Sequence, residues 1–405
     1  MIEHVVVVGG SLAGIRACGG LRSNGFEGTI TLVGTEPHLP YDRPPLSKKV
    51  LSGDWEPDRI ALVRPDEFAS LNLTLLLGVS ATALSIAERT VSLSNGTQVG
   101  FDGLVIATGA GLRRLPQQPR DPAIFELRTL DDALALRSRL AAGDQRVTVI
   151  GAGFIGLEVA ATARQLGNEV IVLEGALAPL IRGLGDEMGR AVTQIHADHG
   201  VEIRCGVQVG SIERDGLSLR VQVGDNEIMV TDILVVGVGV APNTAWLEGS
   251  GLTLRDGVVC DVTLNAGSLG VYAAGDVARW PNPQFGDEEM RVEHWTNASE
   301  QGVAAASNLL AVDRGDEPQP YSAVPFFWSE QYGKRIQFIG RAAGDDDVVV
   351  VKGSVEERSF LALYGSHGSF RGALGLAMPK PLMQCRKLLL DGLSFDEAVE
   401  AAHAL

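Results

Sequence analysis

Paired cysteines are missing from this chain of 405 residues. The four that occur, Cys18, Cys205, Cys260 and Cys385, lie far apart, so neither a CxxC or CxxxxC redox pair nor a zinc-ligand spacing exists. They read as lone thiols of a reducing compartment. Basic charge is also short: 34 Lys and Arg against 50 Asp and Glu leave a net charge of −16. That balance argues against nucleic acid or an anionic membrane as a partner, since either favours a basic surface. No apolar run approaches the ~20 residues of a membrane helix. The N-terminus enters a strand at once, without a basic-plus-apolar leader, so a cytoplasmic protein with no membrane attachment and no metal is expected.

What is present is a globular, glycine-rich composition: 45% hydrophobic residues, 21% charged residues and 49 glycines. At ~100–200 residues per domain the length suggests two to four domains, and three are expected. Residues 4–8, HVVVV, form a short β-branched run ending at Gly9; a helical stretch follows through about Leu21, and a second strand, TITLVG, begins at Thr29. Strand, glycine turn, helix and strand make a βαβ unit. Asn95-Gly96 marks a hairpin further on. A second βαβ unit spans residues 146–175, with Gly167 at the end of its helix. From about Pro318 the texture becomes aromatic and strand-like, with strands expected at 348–353 and 359–364 and a last helical stretch from about Pro381.

The glycine turns carry the chemistry. In the first copy Gly9, Ser11 and Gly14 fall one short of GxGxxG, with serine at the middle position where backbone normally approaches a pyrophosphate. The second copy, Gly151, Gly153 and Gly156, is complete, and its next strand ends at Glu174, 174 − 156 = 18 residues later. A carboxylate there accepts both ribose hydroxyls of NAD and repels a 2′-phosphate. Gly175 and Ala176 follow without an arginine, and Arg182 is the nearest one. NADH is therefore expected over NADPH. Two further segments, LVIATGAG at 104–111 and GVYAAGDVA at 270–278, deliver Thr108-Gly109 and Gly275-Asp276 from strands; VVGVGVAPNT at 235–244 looks like a return crossing between domains.

In this order the segments resemble the glutathione-reductase-like flavoproteins with two dinucleotide-binding domains. The disulfide reductases of that family carry CxxxxC near the position of YDRPPLSKKV, residues 41–50; Pro44, Pro45, Leu46, Ser47 and Lys48 stand here instead. That stretch, with RTLDDA, GFIGLEVA, RVEHWTNASEQG and VPFFWSEQY, resembles the ferredoxin-reductase branch along residues from about 4 to 390. The resemblance implies an α/β fold with two Rossmann-like domains and a smaller α+β C-terminal domain. The FAD domain would span 1–113 and 243–318, the NAD domain 114–242, and the C-terminal domain 319–405.

By the same resemblance Gly9, Ser11, Leu12, Ala13, Gly14, Thr35 and Glu36 hold FAD from its first βαβ unit. Arg43, Lys48, Ala81, Thr108, Gly109 and Arg128 add to that site, Arg128 as a guanidinium for pyrophosphate. Gly275, Asp276, Glu293, His294 and Trp295 complete it, with Asp276 toward the ribityl chain. Thr35 stands where relatives often carry an acid for the adenosine ribose, and Glu36 is one residue on. NAD is assigned to Gly151, Gly153, Phe154, Ile155, Gly156, Glu158, Glu174 and Gly239. Lys48 and Glu158 are expected to pair at the hydride-transfer site, and Trp328 to cover the flavin edge. Electrons would pass from NADH through FAD to a 2Fe-2S ferredoxin serving a haem monooxygenase or a ring-hydroxylating dioxygenase. Lys334, Arg335, Lys380, Arg386 and Lys387 are candidates for its docking patch. The family contains monomers and homodimers. Two other readings are an NADH oxidoreductase using oxygen, quinone or another small acceptor, and an NADH-responsive signalling flavoprotein.

Overall fold

A computed structural model describes residues 1–116 and 118–405. The chain forms two compact units, one built from Met1–Asp42, Ile60–Gly111 and Val240–Pro325, the other from Arg43–Arg59, Leu112–Gly239 and Phe326–Leu405.

In the first unit the strands His4–Val8, Thr29–Gly34 and Leu73–Leu77 run parallel on one side, and Gly103–Ile106 and Val271–Ala273 continue the parallel sheet on the other. Asn265–Ser268 closes that edge antiparallel. Val5, Val6, Val7 and Val8 are all buried, as expected of a parallel strand covered on both faces, which reads as a continuous apolar run. The chain turns sharply at Gly9, whose φ of 127° suits glycine, and a Cβ there would lie 2.0 Å from the Ala107 carbonyl oxygen. Helix Leu12–Ser23 then packs on helix Trp295–Arg314. The contact is close because Gly302 stands at it: a Cβ there would lie 2.3 Å from the Ala13 carbonyl oxygen. The expected hairpin at Asn95-Gly96 joins Thr90–Leu93 to Gln98–Gly100.

The second unit repeats the plan. Glu202–Cys205, Glu169–Glu174, Arg146–Ile150, Ile233–Val236 and Ile124–Phe125 form a parallel sheet in that order. A three-stranded antiparallel sheet of Val209–Asp215, Ser218–Val223 and Glu227–Thr231 accompanies it. Helix Phe154–Gln165 follows the complete glycine turn and ends ahead of Gly167, which takes φ 87°.

The C-terminal segment of this unit is an antiparallel sheet ordered Phe326–Gln331, Lys334–Gly340, Ser369–Leu376, Ser359–Ser366, Asp347–Ser354. Two elements here escape the sequence reading. Strand Ser369–Leu376 contains Gly372 and Gly375, which lower strand propensity; a Cβ on Gly372 would lie 2.7 Å from the Arg341 carbonyl oxygen, so close packing demands glycine. The single expected terminal helix is two, Pro379–Leu390 and Phe395–His403, broken at Gly392 (φ 69°) and restarted by a Ser394/Glu397 capping box. Pro379, not Pro381, opens the first of them, at a position where the missing N–H is tolerated.

Gly156 sets how near helix Phe154–Gln165 approaches its turn, since a Cβ there would lie 2.2 Å from the Gly151 carbonyl oxygen. Gly156→Ala should destabilise the fold by about 1–3 kcal/mol through overpacking. Thermal unfolding checks this, and an unchanged Tm would contradict the packing account.

Candidate functional site

Four of the sequence-selected segments of the first unit sit at the carboxyl ends of adjacent parallel strands. The Gly9 to Gly14 turn follows His4–Val8, Thr35-Glu36 follows Thr29–Gly34, Thr108-Gly109 follows Gly103–Ile106, and Gly275-Asp276 follows Val271–Ala273. The strand order reverses beside His4–Val8, and open α/β sheets bind ligands at such a switch point. Leu12 and Ala13 open the helix after the turn, whose first turn holds no acid to compete with a phosphate for the N–H groups.

Around this edge, Ser80 Oγ donates to Thr35 Oγ1 at 3.2 Å, and Ala81 begins the next strand. Glu36 accepts a hydrogen bond from the Tyr41 hydroxyl. Thr108 and Asn243 bond each other's backbone carbonyls, both at 2.9 Å, which ties the two crossing segments together. Arg291 donates to the Asp276 carbonyl at 3.0 Å and pairs with Glu293 at 2.6 Å. His294 is the N-cap of helix Trp295–Arg314, and Trp295 Nε1 donates to Asp42 at 2.7 Å.

One buried group at this edge is short of partners. Gln301 Oε1 accepts from the Gly275 N–H at 2.9 Å, while its Nε2 is buried with no hydrogen-bond partner among the described residues. A buried amide donor is costly to leave unmade. The glycine turn, the acid-free helix start and this unspent donor together fit an anionic dinucleotide. Sequence reading missed Gln301, which looks like an ordinary helix residue.

The second unit divides its three glycines by function. Cβ atoms on Gly151 and Gly156 would lie 2.2 Å from the Gly237 and Gly151 carbonyl oxygens, whereas one on Gly153 meets nothing within 4 Å. The outer glycines serve packing, and the middle one faces open space at the start of the helix. Glu174 reaches back to this turn: its carboxylate accepts the Ala152 N–H at 2.6 Å and the Ala176 N–H at 2.8 Å. Gly239 has φ 100°, and Arg182 Nη1 lies 3.9 Å from where its Cβ would be. Ile155 is 43% exposed beside Gly153, whereas Phe154 packs edge-on against Phe327, 4.8 Å between ring centroids.

The polar centre of this unit is Glu158. It is the fifth residue of its helix, past the first turn, and is buried. Pro44–Ser47 forms one 3-10 turn that brings Ser47 and Lys48 against it. Lys48 Nζ lies 2.7 Å from Glu158 Oε2, with the side chains 17% and 6% exposed. Ser47 Oγ donates to the same oxygen at 2.5 Å, and Ser329 Oγ donates to Oε1 at 2.6 Å. Thr162 Oγ1 anchors the Ser47 carbonyl at 2.9 Å. A buried ion pair needs such extra donors, because desolvation of two charges otherwise exceeds their attraction.

The remaining residues from the sequence lie around this unit. Arg43 donates to the Arg128 carbonyl at 2.5 Å, and the Arg128 N–H donates to Asp132 at 3.1 Å, just before the helix capped by Thr129. Trp328 stacks on Phe326, 6.0 Å between centroids. Ser47, Thr162 and Ser329 were not identified as site residues; hydroxyls in a proline-rich turn, a helix and a strand give no periodic signal.

Comparison with known proteins gives two family matches. Residues 3–302 match the pyridine nucleotide-disulphide oxidoreductases, and residues 326–404 match the reductase C-terminal family. The chain is 37% identical to rhodocoxin reductase of Rhodococcus erythropolis, over 95% of this chain and 89% of that protein. It is 36% identical to the ferredoxin–NAD(+) reductase component of the p-cumate 2,3-dioxygenase system of Pseudomonas putida, over 86% and 84%. The reductase in the crystal structure of the covalent putidaredoxin reductase–putidaredoxin complex superposes with a TM-score of 0.91 at 32% identity, covering 100% of this chain and 99% of that one.

Cys18, Cys260 and Cys385 are buried, and burial pushes each thiol up to about 12. Burial raises the half-buried Cys205 as well, with the Glu174 charge adding to it. Among the described residues no cluster of three His, Cys, Asp or Glu is placed to hold a metal, and no helix is long and apolar enough to cross a membrane. N-Ethylmaleimide should add at most one label to the native protein, at Cys205; two or more adducts in the intact mass would contradict these burials.

Proposed function

We infer the reaction from the premise that this chain belongs to the pyridine nucleotide-disulphide oxidoreductase family and, within it, to the ferredoxin reductases. It is an FAD-dependent oxidoreductase that carries electrons from NADH to a ferredoxin. FAD, when bound, supplies the conversion between a two-electron donor and a one-electron acceptor. The observation that carries the residue assignment is the buried Lys48–Glu158 pair, in the stretch where disulfide reductases carry thiols. With every cysteine buried or half-buried and protonated, the chain offers no thiol relay, so the next acceptor is another protein.

The chain's own residues then divide the work. Gly9, Ser11, Gly14, Thr108, Gly109, Gly275, Asp276 and Gln301 would hold FAD, and Leu12, Ala13, Thr35, Glu36, Ala81, Glu293, His294 and Trp295 are assigned to the same site. Arg128 is assigned to its pyrophosphate, and Arg43 to the same cofactor. Gly151, Gly153, Gly156, Phe154, Ile155 and Gly239 hold NADH, and Glu174 takes the adenosine ribose, where a 2′-phosphate would meet like charge. Lys48 presents a fixed cation and Glu158 its counter-charge at the hydride-transfer site. Trp328 would cover the flavin edge and shield it from oxygen. Residues 1–113 and 243–318 are assigned to FAD, 114–242 to NAD and 319–405 to a C-terminal domain.

The finer reading is a 2Fe-2S ferredoxin serving an oxygenase, in the cytoplasm where NADH is supplied. It draws on the rhodocoxin and p-cumate dioxygenase relatives. Arg335, Lys380, Arg386 and Lys387 are exposed, and Lys334 half-buried, on strand Lys334–Gly340 and helix Pro379–Leu390, which pack together. We assign them the docking face for an acidic ferredoxin, recognised electrostatically, on a reductase that is itself a monomer or homodimer.

Anaerobic reduction by NADH, followed by mixing with oxidised 2Fe-2S ferredoxins and separately with oxygen, tests the function. Fast, salt-sensitive reduction of one ferredoxin with slow oxygen consumption is expected. Rapid oxygen or quinone turnover with no ferredoxin reduced would overturn it. Lys48→Met should slow flavin reduction by NADH in stopped flow and lower stability by ~3–5 kcal/mol, since Glu158 is left as a lone buried charge; a wild-type rate would remove Lys48 from the site.

A further inference from the structure

Glu158 sits at the end of a buried line of hydrogen bonds that the reaction above does not use. Ser329 Oγ lies 2.6 Å from Glu158 Oε1 and 3.1 Å from Gln331 Nε2; Gln331 Oε1 lies 2.8 Å from His196 Nε2; and the Tyr332 hydroxyl lies 3.4 Å from His196 Nδ1. Ser329 and His196 are fully buried and Gln331 is 1% exposed. Ser329 and Gln331 share one face of strand Phe326–Gln331 because side chains alternate along a strand. Phe327 lies on that face too and packs between Phe154 and Phe338.

The proton inventory gives this line a direction. The Glu158 carboxylate beside Lys48 only accepts, so the one Ser329 hydrogen goes to it, and Ser329 must accept from the Gln331 amide. That turns Gln331 Oε1 toward His196, which donates through Nε2–H and presents Nδ1 to the Tyr332 hydroxyl. Burial pushes His196 down to about 4, so the imidazole stays neutral near pH 7. Every donor along the line therefore points toward the carboxylate, and hydrogen bonds aligned in series to an anion strengthen one another.

We propose that strand Phe326–Gln331 is a positioning element for the hydride-transfer site: Ser329, backed by Gln331 and His196, holds Glu158 as an oriented anion and so fixes Lys48. The inference rests on the reading that places Lys48 and Glu158 at that site. Ser47 secures the other carboxylate oxygen from the opposite side, and without Ser329 the carboxylate is free to rotate about its remaining partners. Small displacements of a charge at a reacting centre cost rate even where binding is intact.

The test compares Ser329→Ala, Ser329→Thr and Gln331→Met in the FAD-loaded protein. Selective carbon-13 labelling of glutamate gives the Glu158 carboxyl resonance, assigned by its loss in Glu158→Gln; stopped flow gives the rate and NADH dependence of flavin reduction. Ser329→Ala should shift the resonance and slow reduction roughly tenfold, with the half-saturating NADH concentration unchanged. Ser329→Thr, which keeps the hydroxyl, should restore both. An unshifted resonance, or a shifted one with wild-type rate, overturns the proposal. Should Ser329→Ala fail to fold, Gln331→Met removes the support while leaving the hydroxyl, and the same two readouts decide. Lys48→Met and Glu158→Gln run alongside: wild-type rates in both would overturn the site reading and this inference with it, whereas slow rates in both beside an unaffected Ser329→Ala overturn this inference alone.

Discussion

A carboxylate buried to 5% exposure governs the second unit. Its charge has to be compensated where water does not reach, and three segments distant in sequence meet to compensate it. Ser47 and Lys48 come from the 3-10 turn, Glu158 and Thr162 from the helix after the complete glycine turn, and Ser329 from the C-terminal sheet. The turn and the sheet strand are each tied to the helix through that one oxygen pair. That is a constraint of specificity more than of net stability, because replacing a buried ion pair by apolar groups is often neutral. An ionic centre at this cost makes sense where the charge has chemistry to do.

The same strand–turn–helix solution appears twice with different detail. In both copies the first and last glycines are forced by backbone packing: the Cβ of Gly9 or Gly151 would strike the carbonyl just past the end of a neighbouring strand, and that of Gly14 or Gly156 the first glycine's own. The middle position is under no such pressure, which explains how Ser11 is accommodated where Gly153 stands in the second copy. The polar groups beside each copy differ. Gln301 keeps a buried amide hydrogen beside Gly275, while Glu174 returns to its own turn through two backbone N–H groups.

How much was readable in advance differed by kind of feature. The strands HVVVV and TITLVG match His4–Val8 and Thr29–Gly34 residue for residue, because parallel strands buried on both faces are continuous apolar runs bounded by glycine. Strand Ser369–Leu376 was lost because its glycines, demanded by close packing, mimic a loop. The terminal helix break at Gly392 was lost for the complementary reason, since a single glycine interrupts an otherwise helical pattern. Lys48 and Glu158 were paired through resemblance alone, across a separation of 110 positions that no periodicity spans.

Sequence by itself determined the two βαβ units, the carboxylate at the second strand end and the absence of any cysteine pair, because each is written in local spacing within about thirty residues. Only the tertiary structure decided which hydroxyls meet Glu158 and how Gln331 and His196 stand behind Ser329. Those partners are 111, 171 and 135 residues apart along the chain for Ser47–Glu158, Ser329–Glu158 and His196–Gln331. Serine, glutamine and histidine look alike in sequence whether solvated or buried. It is the packing of strand Phe326–Gln331 on helix Phe154–Gln165 that removes water and makes the carboxylate their required acceptor.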